Sequence, residues 1–167
     1  MTTIRPARPT DAAAIARIYN EGIADRIATF ETEPRTAADV AAWFGGRYPV
    51  VVVEDDGGKV IAFASSSSYR ARACYAGIAE FSVYVARDKR GQGGGRAALA
   101  ALVEAATAAG FWKLVSRVFP ENKASLALLD RLGFRQVGTY ARHGLLDGQW
   151  RDCVIVERLL GPDGAFN

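Results

Sequence analysis

The residues Arg90-Gly91-Gln92-Gly93-Gly94-Gly95-Arg96 lie between an apolar run and an alanine-rich run, with four glycines in five positions. A glycine has no Cβ to hold a ligand away from the main chain, and a helix start carries unpaired N–H groups and a partial positive charge. Such a junction suits an anion, phosphate or pyrophosphate above all, bound by main-chain amides with Arg90 and Arg96 adding charge. A plain flexible turn is the simpler reading. Two nucleotide motifs fit poorly. The Walker loop needs Gly-Lys-Ser/Thr where Gly95-Arg96-Ala97 stands, and the third glycine of the dinucleotide motif is replaced by Arg96. Just upstream, Glu80 belongs to the run Glu80-Phe81-Ser82-Val83-Tyr84-Val85. A carboxylate desolvated in such a strand holds its proton more tightly and can work as a base, whereas its structural reading is an ion pair with Arg70 or Arg72. Those two arginines can grip an oxyanion bidentately or stand solvated in their loop. Asn122 stands just before a helical run, where it reads first as an N-cap or turn residue.

These groups need elements to hold them. Thr2 to Arg5 reads as a strand. Asp11 is a helix N-cap candidate before Ala14, Ile15, Ile18 and Tyr19 at helical spacing. Asn20 to Thr32 is less regular. Pro34 and Thr36 open a helix through Trp43-Phe44, and Val50 to Val53 is β-branched. Asp55-Asp56-Gly57-Gly58 makes a hairpin into Lys59 to Ser68. An arginine-containing loop, Tyr69 to Tyr75, precedes the strand Ala76 to Val85. A helix then runs to Ala109 and is stopped by Gly110. Lys113 to Phe119 is a strand, Ala124 to Leu132 a helix, and Phe134 to Tyr140 and Asp152 to Leu159 are the last strands. The order β-α-α-β-β-β-α-β-α-β-β is mixed α/β with hairpins, one domain over 1–160 with a tail at 161–167.

With 167 residues, half of them apolar, and a mean hydropathy near zero, the chain suits one soluble domain with a real core. No apolar run approaches the ~20 residues that span a bilayer, and Met1 to Pro6 lacks the core of a signal peptide, so a cytoplasmic protein without membrane contact is expected. Cys74 and Cys153 form neither a disulfide framework nor a zinc pattern, and no metal is expected. The net charge of +3 is spread along the chain and forms no basic stripe, which favours a small anionic ligand over nucleic acid.

The spacing Arg90-x-x-Gly93-x-Gly95 resembles the acyl-coenzyme-A loop of the GNAT superfamily of N-acetyltransferases. Pro120-Glu121-Asn122-x-x-Ser125, Leu132-Gly133-Phe134 and Val137-Gly138 are similar to the segment that follows it there. Ile18-Tyr19-Asn20, Ala28-Thr29-Phe30-Glu31, Glu80 to Val85 and Gly148-Gln149-Trp150-Arg151-Asp152 resemble the phosphinothricin acetyltransferase branch. Within that branch, Asp25 to Glu31 and His143-Gly144 with Asp147-Gly148-x-Trp150-Arg151-Asp152 look like the arsinothricin-acetylating subgroup. The resemblance implies the GNAT fold, a central, mostly antiparallel mixed sheet flanked by helices. It implies acetyl transfer from acetyl-CoA to the α-amine of a small glutamate-like amino acid, in a homodimer joined through the C-terminal strands. Glu80 would be the base. The pyrophosphate would sit on Arg90, Gly91, Gln92, Gly93, Gly94, Gly95 and Arg96, and the pantetheine arm on Val83, Tyr84, Val85 and Asn122, with Arg131 toward the nucleotide. Phe30, Arg70, Arg72, Tyr75, Phe81 and Ser82 would face the acceptor. His143 would lie in the loop before the last strand, near the acceptor pocket and the dimer contact, with Trp150 as packing and Asp152 as a turn or strand-start partner. The position where many relatives carry a tyrosine or histidine acid is Leu129, leaving Tyr84 and Tyr140 as weak substitutes. The alternatives are a protein-modifying acetyltransferase of the same fold and a non-catalytic acyl-CoA-binding module.

Overall fold

Seven strands hydrogen-bond into one sheet of order β1-β2-β3-β4-β5-β7-β6. The computed structural model describes residues 1–161. The strands are β1 (Thr3–Pro6), β2 (Val50–Glu54), β3 (Val60–Ser68), β4 (Ile78–Val85), β5 (Lys113–Val118), β6 (Arg135–Leu146) and β7 (Gln149–Leu159). The helices are α1 (Ala12–Asp25), α2 (Ala37–Ala41), α3 (Gly94–Ala108) and α4 (Lys123–Arg131). All neighbours are antiparallel except β4 and β5. The expected tail beyond Gly161 lies outside the described residues.

Strand alternation splits the apolar side chains between two faces. On one face Phe81, Leu114 and Val118 pack with Leu99 and Leu102 of α3 and Leu129 of α4. On the other, Val52 and Phe63 pack with Ile15 and Ile18 of α1 and Val40 of α2. The result is a sheet covered by helices on both faces.

The feature that matters for a site is where pairing fails. β4 and β5 pair at Ile78↔Lys113, Ala79↔Leu114 and Glu80↔Val115 and then stop, although both strands run on. β3 stays paired to β4 as far as Val85. The sheet therefore opens between β4 and β5, immediately after Glu80.

Several boundaries differ from the sequence reading. α1 continues past Asn20 to Asp25, because the Asn20 side chain brackets the Arg35 backbone (N–H to Oδ1 2.7 Å, Nδ2 to C=O 2.9 Å) and holds helix and loop together. Gly22 inside that helix looks like a breaker, but a Cβ there would stand 2.6 Å from the Tyr84 ring, so its absence lets α1 seat on the sheet. The Asp11 side chain does not cap α1. It accepts two bonds from Arg5 (2.8 and 2.9 Å) and one from the Arg8 N–H (2.7 Å). α2 ends at Ala41, short of Trp43-Phe44. β6 and β7 are one long hairpin through Asp147-Gly148, so His143 lies within β6 and not in a loop. Arg142, with φ 49°, marks a bulge there, and its N–H donates to Asp152 Oδ1 at 2.8 Å. Trp150 is exposed on β7, opposite Leu145 of β6.

Candidate active site

The opening between β4 and β5 is a cleft lined among others by Ala28, Ser82, Val83, Tyr84, Arg117, Asn122 and Leu129. One wall is the freed edge of β4. Ala86 N–H donates to Ile61 O (2.8 Å), so by antiparallel alternation the polar groups of Tyr84 and Ser82 face β3, and those of Phe81, Val83 and Val85 face away from it, toward the β5 side. Two bonds agree with this alternation. Ser116 Oγ donates to Phe81 O (2.9 Å), and Arg90 Nε reaches Val85 O (3.4 Å). The edge that an extended chain could join thus belongs to Val83 and Val85. Tyr84, expected beside them, turns its backbone to β3 and packs its ring against Tyr19 and Phe63 (centroids 4.9 and 5.5 Å). Burial pushes its hydroxyl well above the ordinary phenol range, so it is a poor proton donor.

At one end of the cleft stands the start of α3. Gly91 and Gly93 adopt φ of 76° and 89°, conformations that side chains rarely tolerate, and no side chain caps the helix. The first-turn N–H groups are left without a side-chain acceptor, which is the chemistry of an anion site. Gly94 and Gly95 are buried for another reason. A Cβ on Gly95 would come within 3.2 Å of Val85, so the glycines let α3 press onto β4. Arg96 and Arg131 are exposed, whereas Arg90 is engaged: its Nη1 lies 2.6 Å from Asp25 Oδ2, and Arg87 takes the other oxygen at 2.8 Å. These contacts, Arg87 first, hold the Asp25 carboxyl below its usual range. Asn122 caps α4 by accepting from Ser125 N–H (3.2 Å), and the same residue lines the cleft.

Glu80 and Ser82 project from the other face, toward α1. Glu80 is not sealed in apolar surroundings. It is partly exposed, and its partner is neither Arg70 nor Arg72 but Arg117 of β5, at 3.5 Å. Arg117 was not singled out from sequence because it reads there as the polar position of an alternating strand. Val115 pairs with Glu80, and Arg117, two residues further on, shares its face.

The remaining expected acceptor residues lie around this point. Arg70 and Arg72 are exposed and outside the cleft lining. The Arg70 guanidinium sits 5.1 Å from the Tyr69 ring centre, and Tyr69 first, then Glu80 and Tyr140, favour its charge. Tyr75 stacks edge-on with Tyr69. Phe30 is part of a small cluster with Phe119, Leu146 and Cys153, pressed against Gly144, so Ala28 and not Phe30 lines the cleft. The α1–α2 loop is tied to the β6–β7 hairpin by Arg26–Asp147 (3.2 Å) and Arg151–Arg26 O (3.4 Å). His143 is exposed and stacks on Tyr140 at 4.6 Å. Leu129, an apolar side chain, lines the cleft. No cluster of His, Cys, Asp or Glu among the described residues has metal-binding geometry.

The Acetyltransferase (GNAT) domain family matches residues 2–135. The chain is 35% identical over 164 residues to the L-methionine sulfoximine/L-methionine sulfone acetyltransferase of Pseudomonas aeruginosa, covering 96% of this chain and 95% of that one. It is 33% identical over 163 residues to the phosphinothricin N-acetyltransferase of Streptomyces coelicolor, covering 94% and 95%. Its fold superposes on a GNAT superfamily phosphinothricin acetyltransferase from Sinorhizobium meliloti, solved in complex with acetyl-CoA, with a TM-score of 0.90 and 35% identity over 99% of this chain and 92% of that chain.

Proposed function

This chain belongs to the GNAT acetyltransferase family, and from that premise we propose that it carries an acetyl group from acetyl-CoA to the α-amine of a small glutamate-like amino acid. Phosphinothricin, arsinothricin, methionine sulfone and methionine sulfoximine define the acceptor class. The observation that carries this reading is the split between β4 and β5, which leaves one polar strand edge beside an uncapped glycine helix start and places a carboxylate where pairing ends.

In this reading the pyrophosphate of acetyl-CoA lies on the amides of Gly91 to Arg96, with Arg96 and Arg131 as outlying cations. Arg90 joins them by exchanging Asp25 for phosphate. The pantetheine arm adds to the β4 edge at Val83 and Val85, meeting Asn122 on the other side. An N–H of that edge faces the thioester oxygen, where negative charge builds as the amine attacks. Glu80 takes the proton that the ammonium must lose before it is a nucleophile, directly or through water. Ser82 and Phe81 flank it, and the Arg70–Arg72 loop with Tyr75 meets the acceptor's distal anionic group. With Leu129 in the acid position, the thiolate leaves unprotonated, which a thiol of pKa about 8.5 tolerates.

The work of the enzyme is detoxification in the cytoplasm, since acetylation removes the amine charge by which such an amino acid mimics glutamate. The active form is a homodimer. Val137, Tyr140 and Leu145 of β6 and Trp150 of β7 are all exposed on the last hairpin, a concentration of apolar surface that a partner would cover.

The test is thiol release from acetyl-CoA with each of those four amino acids, glutamate and a lysine peptide. Turnover of at least one of the four, with little for the peptide, is expected. Turnover of the peptide alone overturns the reading.

A further inference from the structure

We propose that Arg117 reads the α-carboxylate of the acceptor, and that its pairing with Glu80 is the free enzyme's stand-in for the bound amino acid. The inference rests on the function proposed above. Arg117 lines the cleft, shares a sheet face with Glu80, and places Nη2 3.5 Å from Glu80 Oε1. Arg70 and Arg72, like Glu80 itself, are outside the lining, but the ion pair with Glu80 is made by Arg117.

An α-amino acid carries its ammonium and carboxylate on one carbon, about 3 Å apart by its bond lengths. Whatever cation site meets the carboxylate must therefore adjoin the base that meets the amine. Among the described residues, Arg117 is the cation paired with Glu80. In the free protein the two side chains neutralise each other. They are 50% and 31% exposed, so their pairing is weak and readily exchanged. A zwitterion arriving between them replaces one ion pair with two: ammonium on Glu80, carboxylate on the planar fork of Arg117. An amine without the carboxylate takes Glu80 away from Arg117 and gives Arg117 nothing in return. The site thus discriminates against simple amines and against backbone-amidated peptides at the α-carbon itself, and leaves Arg70 and Arg72 for the distal group.

The experiment compares the amino acid that the wild-type protein acetylates fastest with its α-carboxamide, in wild type, Arg117→Gln and Arg117→Lys, with acetyl-CoA affinity measured by calorimetry. Wild type should favour the carboxylate in kcat/KM by about 10- to 100-fold, the scale of one charge-assisted hydrogen-bonded pair. Arg117→Gln should erase that preference from both sides, raising KM for the carboxylate form and, with the competing ion pair gone, raising the amide's kcat/KM, while the acetyl-CoA Kd stays close to wild type. Arg117→Lys should restore part of it. If both acceptors fall in parallel in Arg117→Gln, or if the preference survives, Arg117 acts only through Glu80 or not at all and the inference fails while the proposed function stands. If wild type acetylates neither acceptor, the function itself fails and takes the inference with it.

Discussion

Glu80 stands at the last position where β4 pairs with β5, where that strand edge becomes free and solvent reaches the carboxylate. Glu80→Gln keeps its size and hydrogen-bonding reach but cannot accept the amine's proton. The rate at neutral pH should fall by about 100-fold or more, the usual share of a general base, while acetyl-CoA affinity stays close to wild type. An unchanged rate would remove Glu80 from the chemistry. Gly93 separates the other way. Its φ of 89° and its place at the start of α3 mean that Gly93→Val strains the backbone by on the order of 1–3 kcal/mol and turns amides away from the anion. The expected result is a weaker acetyl-CoA Kd by titration, with kcat at saturating acetyl-CoA largely retained. A collapse of kcat without loss of affinity would contradict the anion role of this loop.

At the scale of elements, the first strand is fastened to the helix layer by one buried carboxylate. Asp11 holds Arg5 through two hydrogen bonds and the Arg8 N–H through a third, while Arg5 also pairs with Glu54 of β2. The Arg5 bonds come first among the causes that hold the Asp11 carboxyl below its usual range. A carboxylate with a depressed pKa in the folded state stabilises the fold above the ordinary carboxylate range and loses that contribution as pH falls through its folded value. Asp11→Asn should therefore cost about 2–3 kcal/mol in urea unfolding at pH 7, and the gap to wild type should close on acidification. A gap that widens in acid would contradict the pairing. The element order was legible because hairpin turns, β-branched runs and glycine stops are local signals. Helix α1 ran past its apparent end because the Asn20 bonds to Arg35 and the Gly22 contact with Tyr84 are tertiary, and the last hairpin was longer than its apolar pattern because β6 is an edge strand exposed on both faces.

For the whole molecule, the two helix-covered faces divide the labour. In the proposed reading, the α3–α4 face offers glycines and amides to an anion, and the α1–α2 face brings Glu80 and Arg117 to the acceptor. Phe63, fully buried among Tyr19, Trp43 and Tyr84, anchors the second face. Phe63→Ala should cost about 3–5 kcal/mol, measured as a lower urea midpoint at unchanged slope. The exposed apolar hairpin makes a separate prediction about assembly. Leu145→Glu combined with Trp150→Glu should shift the protein from dimer to monomer in sedimentation velocity without loss of the folded signal. A wild-type protein that sediments as a monomer would refute the proposed dimer.

Taken alone, the sequence determined the parts that depend on neighbours along the chain. These are the strand–glycine–helix junction, the Asn122 cap before α4, the mixed order of elements and the carboxylate in β4. Only the tertiary structure decided what those parts face. It parted β4 from β5 after Glu80, turned the backbone polar groups of Val83 and Val85 but not those of Tyr84 away from β3, tied Arg90 to Asp25 and set Arg117 beside Glu80. The physical reason is strand pairing. Register and splay are set by hydrogen bonds between segments far apart in sequence, and they alone determine which of two alternating faces meets which partner.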